Sequence, residues 1–303
     1  QKTAYEIRLS LVGSEMCIRD RLSELHAICR DLARHAIRPI VLKGMALAPT
    51  VYASIALRAM GDTDLLVRRR DLAVAWAVLS ARGYLVPPAS ARYWQLQFRN
   101  AGELRLIQRR TLALVELHWW LCAGTWAEEI GLLSALDPWR RAREATLDDQ
   151  PALRLHPHDE VLHIAHHLAV SNQFGSGFGR MLVDLDRLIR ASPLDWPALL
   201  EEARSLRLAT ILWLALDLAR TILDTPISPA YLQLAPPWPQ RRLLQRLVRP
   251  AALLSGHDPR RRAGRRYLLL LALLDRPRDM WGLLSRGVRE LSGSSLAEPV
   301  EAK

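Results

Sequence analysis

Two aspartates separated by one residue are the first candidates for chemistry in this sequence. Asp62 and Asp64 follow Gly61 in a segment that is typical of a strand. Residues two apart on a strand point to the same face, so these carboxylates would lie side by side and need a cation, typically Mg²⁺. About one such pair is expected by chance in a chain of this composition, and Asp184 and Asp186 form a second. The second pair falls in a helical run, where side chains two apart diverge, so it cannot build the same site.

A third carboxylate lies in the predicted strand 112–119. Alternation with period two places Leu112, Leu114, Glu116 and His118 on one face. A charge in the middle of an otherwise apolar strand face is costly unless it is paired or bound to a metal. Glu116 is therefore the candidate third ligand. A salt bridge to one of the many arginines is the alternative for this residue.

The dipeptide Lys43-Gly44 stands between a predicted buried strand and a predicted helix. A helix that begins after a glycine turn offers unpaired backbone N–H groups and the positive end of its dipole, which suits a phosphate group. Lys43 would add a positive charge at the same place. Lys-Gly is a common dipeptide, so this pattern alone indicates little.

Two histidines in the second half could also bind a ligand. His163 and His167 are four residues apart in a predicted helix and share one face, and Asp184 is available as a further metal ligand. No third ligand is fixed by the spacing. Histidines of this kind more often lie in the core, between domains or along a substrate cleft.

The elements that must position these residues alternate between strand and helix in the first half and are helical in the second. The first half contains predicted strands at 37–42, 62–67, 104–108 and 112–119, and predicted helices at 22–35, 45–52 and 71–82. After Pro151, helices are predicted at 160–168, 180–190, 197–204, 210–223, 241–248 and 267–274. We therefore predict an α+β domain over 22–150, an all-helical domain over 151–291 and a flexible tail over 292–303.

The first 21 residues are interpreted separately. Arg8, Glu15 and Arg19 interrupt the apolar run that a secretory signal would need. The segment resembles translated sequencing-adapter read-through, so we predict that residues 1–21 are a non-native leader. A genuine short helix is the alternative.

Composition excludes some classes of protein. No apolar run approaches the roughly 18–20 residues of a membrane span, and three widely spaced cysteines form neither a disulfide framework nor a zinc motif. These features favour a cytoplasmic protein. The net charge of +11 permits an anionic partner, but 39 of the 42 basic residues are arginines, an imbalance that base composition of the genome also explains. Besides Lys2 and Lys303 near the ends, Lys43 is the only lysine.

The order of these motifs resembles an uncharacterised bacterial family of the DNA polymerase β nucleotidyltransferase superfamily. The resemblance is carried by LKGMALAPTVY, LRAMGDTDLLV and LVELHWWL, and it covers residues 37–120 strongly. It implies a mixed-sheet nucleotidyltransferase core followed by a helical domain that closes over the substrate. Gly44 matches the phosphate-cradling glycine, Asp62 and Asp64 match the metal-binding pair, and Glu116 matches the third carboxylate. The superfamily often has a serine after the glycine, where this chain has Met45.

The resemblance implies transfer of an NMP group from an NTP to a hydroxyl of an unknown acceptor, with two Mg²⁺ ions held by Asp62, Asp64 and Glu116. The candidate nucleotide ligands are Lys43, Gly44, Arg58 and Gly61, and a surface arginine is the alternative for Arg58. Candidate residues for acceptor binding or support are His118, which would contact the acceptor or orient Glu116, and His163 and His167. A structural histidine is the alternative for His118. The acceptor is a protein, an RNA or a small molecule. The alternative is an inactive nucleotide- or RNA-binding module of the same fold, and the oligomeric state does not follow from the sequence.

Overall fold

The structure, a computed structural model, describes residues 4–87, 102–122, 130–175, 177–255, 263–279, 281 and 284. The predicted tail 292–303 lies outside these residues. The described strands form one mixed sheet in the order β3-β4-β5-β2-β1-β7-β6. Their bounds are β1 Ile40–Leu42, β2 Asp62–Leu66, β3 Tyr84–Leu85, β4 Glu103–Gln108, β5 Leu114–His118, β6 Arg143–Leu147 and β7 Gln150–Arg154. Pairs β2/β5 and β1/β7 are parallel, and the other neighbours are antiparallel.

The helices cover both faces of this sheet. The helices of the first half are α1 Ala4–Ala33, α2 Lys43–Val51 and α3 Leu72–Ala81. Those of the second half are α4 Pro157–His166, α5 Phe178–Ala191, α6 Trp196–Ser205, α7 Ala209–Leu223, α8 Trp238–Leu247, α9 Pro250–Leu254 and α10 Ala263–Ala272. A π-helical turn, His167–Ser171, continues α4. The α+β core followed by a helical region is confirmed.

Alternation along the strands separates two apolar cores. Leu65, Val115 and Leu117 point to one face of the sheet and pack with α1 and α3. Leu42 and Leu66 point to the other face and join the core of the helical half. This second face also carries the charged residues that alternate along β2 and β5, namely Asp62, Asp64 and Glu116. The helical half therefore covers the candidate site and shares its core with the sheet.

Two predicted domain boundaries fall inside elements of the structure. Helix α1 crosses residue 21 without a break, and Ile18 on its predicted leader side is buried in the core. Strand β7 crosses residue 150 and pairs in parallel with β1, so the sheet extends to Arg154 before the helical region begins. That the leader is non-native stays a prediction.

The hairpin β6/β7 is absent from the predicted elements for a physical reason. Both strands are short and mostly exposed, with Leu147 the buried residue of β6, so neither shows apolar alternation. Pro151 also argues against a strand, but it lies in the part of β7 that β1 does not pair with, where a missing N–H costs no bond to β1. The turn between them uses Asp148 and Asp149, both with positive φ, instead of the usual Asn-Gly.

No membrane-spanning helix is found among the described residues, whose helices are too short or too polar to cross a bilayer.

Candidate active site

Strand register brings the predicted carboxylates together. In the parallel pair β2/β5, Asp64 lies directly beside Glu116, and Asp62 lies beside Leu114. The antiparallel pair β4/β5 adds Arg105 next to Glu116 on the same face. Asp62, Asp64 and Glu116 all line one cavity of about 330 Å³ between the sheet and the helical half. The structure thus places all three predicted acidic residues in a single cleft.

Lys43 inserts its ammonium between two of these carboxylates. The strand β1 ends at Leu42, which pairs with Asp64. The next residue, Lys43, therefore starts beside the acidic cluster formed by Asp62, Asp64 and Glu116. Lys43 Nζ lies 2.7 Å from Asp64 Oδ1 and 3.6 Å from Glu116 Oε2. Burial disfavours the charge on Lys43, but the charges of Asp64 and then Glu116 outweigh it and raise the pKa of the ammonium well above its usual value. Lys43 therefore carries its charge in the cleft.

His118 contacts Asp64 instead of the predicted Glu116. Its Nε2 lies 2.9 Å from Asp64 Oδ1 and 3.8 Å from the nearer oxygen of Glu116. The tautomer with the proton on Nε2 donates to Asp64. Burial alone would raise the pKa of Asp64, but the charge of Lys43 and then the hydrogen bond from His118 outweigh it and hold that pKa well below its ordinary value. His118 is thus a positioning residue for Asp64.

Glu116 forms the salt bridge considered for it and keeps its second oxygen on the side of the other carboxylates. Arg105 donates from Nε to Glu116 Oε1 at 3.0 Å, which is the salt bridge of the alternative interpretation. The second oxygen, Oε2, remains on the side of Lys43 and His118. One carboxylate therefore has an arginine on its outer oxygen and faces the acidic cluster with the other.

The tightest potential metal set differs from the predicted one. Asp64, Glu116 and His118 each offer a ligand atom, and these atoms lie within 4.8 Å of one another. Asp62 is half-buried in the same cavity but is not part of this group. Burial, and then the charges of Asp64 and Glu116, raise the pKa of Asp62. A cation in the cleft would relieve this repulsion.

The helical wall of the cavity contributes the two predicted histidines. His163 and His167 both line it, with ring centroids 6.3 Å apart. Burial and then the charge of Lys43 lower the pKa of His163 well below its usual value and that of His167 to about 3. Both imidazoles are therefore neutral at pH 7. They do not form a metal set with Asp184, whose carboxylate is engaged elsewhere.

Arg58 forms a buried ion pair that the sequence did not indicate. Its Nε and Nη2 donate to the two oxygens of Asp184 at 2.7 and 2.8 Å, and Tyr52 Oη donates to the same carboxylate at 2.6 Å. The sequence predicts that Arg58 binds the triphosphate. It places Asp184 in a helical aspartate pair and offers it as a further metal ligand for His163 and His167. The separation of 126 residues between the partners leaves no local signal for this contact.

Gly44 packs closely against the side chain of Arg58. A Cβ at this position would lie 3.3 Å from three atoms of the Arg58 guanidinium. The glycine thus lets the ion pair pack against the first turn of α2. Gly61, in contrast, is exposed and is not among the residues that line the cavity. Its carbonyl accepts a hydrogen bond from Arg21 at 2.8 Å, so its predicted place in the nucleotide site is not supported by the structure.

Sequence reasoning also missed Glu103 and Arg105, which line the cavity from β4. The sequence contains a pattern that could have indicated them, because alternation along β4 places both side chains on one face. The missing information was the register that sets them beside His118 and Glu116.

Comparisons with known proteins give limited detail. No curated protein sequence matches the chain significantly. Among solved structures, an antigenic nucleotidyltransferase-like protein from Paracoccidioides brasiliensis is similar over 71% of this chain and 92% of its own, at 13% identity and a TM-score of 0.39. A TM-score this low supports no argument about function.

The family comparison covers most of the chain, including every residue of the acidic cluster. The model of a family described as "uncharacterised nucleotidyltransferase" matches residues 10–224. The chain therefore belongs to this family of uncharacterised nucleotidyltransferases.

Proposed function

We propose that the protein is a Mg²⁺-dependent nucleotidyltransferase that moves an NMP group from an NTP to a hydroxyl of an acceptor. The observation that carries this proposal is the convergence of Asp62, Asp64 and Glu116 in one cleft, with Asp64 and Glu116 on adjacent parallel strands. Carboxylates in such an arrangement can hold the metal ions of phosphoryl-transfer chemistry. Family membership supports nucleotidyl transfer in general.

The residues present fit a divalent cation. Carboxylate oxygens are the ligands that Mg²⁺ prefers, and the cleft offers them from three side chains. The Lys43 ammonium lies between Asp64 and Glu116, which marks a position where positive charge is stabilised. We infer that Asp64 and Glu116, with Asp62 beside them, hold the ions. Bound there, the ions would supply charge neutralisation for the triphosphate and activation of the acceptor hydroxyl.

The chain itself would bind and orient the phosphates. The first turn of α2 begins at Lys43, and both Lys43 and Gly44 line the cavity, so the backbone N–H groups of this turn are the candidate phosphate donors. Met45 has no hydroxyl to offer in place of the serine, and its side chain is fully buried in the core behind the sheet. Arg180, which is exposed at the cavity wall, offers a further positive charge. Backbone groups and cations would therefore hold the triphosphate without a side-chain hydroxyl.

The acceptor would approach from the helical wall. His163 and His167 are neutral there, so either can hydrogen-bond to the acceptor hydroxyl, although their lowered pKa values make them weak proton acceptors. A protein, an RNA or a small molecule can present such a hydroxyl. We place the reaction in the cytoplasm, where NTPs are available.

An inactive nucleotide- or RNA-binding module is the second candidate. It is favoured by one observation, namely that Lys43 and Arg105 already neutralise Asp64 and Glu116. A module of this kind would bind nucleotide but transfer nothing.

The test is the destination of two radioactive phosphates. The protein is incubated with MgCl₂, a bacterial extract and each NTP, labelled in parallel at the α- or the γ-phosphate. We expect α-label to appear in an acceptor and γ-label in pyrophosphate, and EDTA to abolish both. Transfer of γ-label would contradict the proposal by indicating a kinase. Nucleotide binding without any transfer would support the inactive module.

A further inference from the structure

The ammonium of Lys43 occupies the position between the two carboxylates that the proposed function assigns to a metal ion. We propose that Lys43 and the divalent cation compete for Asp64 and Glu116, so that metal binding releases the ammonium and makes it available to the triphosphate. This inference rests on the proposed function. It assigns Lys43 two successive partners in one cleft.

Lys43 occupies the two carboxylate oxygens that a metal ion shared by Asp64 and Glu116 would need. Lys43 bridges the facing oxygens Asp64 Oδ1 and Glu116 Oε2. The same Asp64 oxygen also accepts a hydrogen bond from His118, and the outer oxygen of Glu116 accepts one from Arg105. Asp64 and Glu116 are both almost fully buried, so they cannot turn to solvent for other partners. A metal ion and an ammonium on the same oxygens would repel each other strongly in so dry an environment.

Lys43 is also placed to reach a phosphate after release. It begins α2 and directly precedes Gly44, whose turn is the proposed phosphate cradle. Its long stem can swing, because four carbons separate the ammonium from the backbone. The backbone of Lys43 has φ of +51°, an unusual value for a residue with a side chain, which fixes the start of this stem beside the cluster. The released charge would remain inside the cavity that Lys43 already lines.

A permanent counter-ion is the competing explanation. In that case Lys43 stays on Asp64 in every state, and its removal leaves a buried carboxylate without its cation. The two explanations differ in what Mg²⁺ does to the environment of the lysine. They also differ in how much removal of the lysine increases the affinity for Mg²⁺. A competing lysine predicts a larger increase than the loss of a nearby charge alone.

The composition of the chain makes a direct measurement possible. The sequence has three lysines, Lys2, Lys43 and Lys303. A sample labelled with ¹³Cε-lysine therefore gives three side-chain NMR signals, and Lys43→Arg identifies one of them by its loss. Lys2 and Lys303 serve as internal controls in the same spectrum. The titration itself uses the wild-type chain, and Lys43→Arg serves only to assign its signal.

Titration with MgCl₂ is expected to move the Lys43 signal toward the position of a free lysine. A second shift is expected when a non-hydrolysable ATP analogue is added. Calorimetry should show that Lys43→Gln binds Mg²⁺ at least about tenfold more tightly than wild type. The same variant should bind the analogue more weakly, because the released ammonium is missing.

Two different failures are distinguishable. If Mg²⁺ binds to wild type but the Lys43 signal stays in place, the competition is wrong and the proposed function stands. If Mg²⁺ binds neither alone nor with the analogue, the metal site of the proposed function is wrong. A Lys43→Gln protein that binds Mg²⁺ no more tightly than wild type would also overturn the competition.

Discussion

Replacing Asp64 with asparagine is expected to lower kcat/KM for nucleotidyl transfer by about 10³-fold, because a carboxylate ligand of a catalytic ion contributes several kcal/mol to transition-state stabilisation. The substitution keeps the shape of the side chain. It removes the negative charge that Lys43 and His118 contact at 2.7 and 2.9 Å. The measurement is steady-state transfer of α-labelled NTP to the acceptor, with circular dichroism to establish that the variant is folded.

The chain contains a matched control for this variant. Asp186 is also a buried aspartate in an Asp-x-Asp pair, but it accepts hydrogen bonds from Thr225 and Arg190 and lies outside the cavity. Asp186→Asn should keep kcat/KM per folded molecule within about twofold, since it removes no charge from the cleft. A full loss of activity in Asp186→Asn, or near-normal activity in Asp64→Asn, would contradict the assignment of the site.

Replacing Arg58 with alanine is expected to lower the free energy of unfolding by about 3–5 kcal/mol. The substitution leaves the Asp184 carboxylate buried without its bidentate partner, and the remaining contact is the hydroxyl of Tyr52 at 2.6 Å. The ion pair joins the region next to α2 to α5, so its loss also loosens the helical wall of the cleft. Urea denaturation followed by circular dichroism measures the change.

Two further variants separate the ion pair from a general effect of removing arginine. The double variant Arg58→Ala/Asp184→Ala should be more stable than Arg58→Ala alone, because it no longer contains an unpaired buried charge. Arg38 pairs with Glu144 at the surface, with side chains 58% and 63% exposed. Arg38→Ala should therefore change stability by less than about 1 kcal/mol. Equal losses in Arg38→Ala and Arg58→Ala would show that the buried pair has no special role.

The sequence predicts the acidic side of the site well because strand geometry is local. The period of two in β5 is enough to place Glu116 and His118 on one face, and the spacing in β2 does the same for Asp62 and Asp64. The register between the strands then sets Asp64 beside Glu116. That register depends on the tertiary fold. From the sequence it could be expected only through the resemblance of the ordered motifs to a known family.

The contacts that set the charge and position of the site residues join distant parts of the sequence and could not be predicted. Lys43 and Asp64 are 21 residues apart, and Arg58 and Asp184 are 126 apart. From the sequence, Arg58 is expected to bind a phosphate because a guanidinium pairs with phosphate through two hydrogen bonds, but the same geometry fits the distant carboxylate of Asp184. The hairpin β6/β7 was missed for a local reason. Its residues are mostly exposed, so its sequence shows almost no alternation of apolar and polar residues.

The location of a bound divalent cation tests the central claim most directly. Crystals grown with MnCl₂ and a non-hydrolysable ATP analogue can be measured at the manganese absorption edge, where anomalous scattering locates the ion. We expect an anomalous peak within coordination distance of the Asp64 and Glu116 carboxylates, with the phosphates of the analogue at the first turn of α2. Nucleotide bound in the cleft with no peak at these carboxylates, or a peak only elsewhere, would contradict a metal-dependent nucleotidyltransferase site.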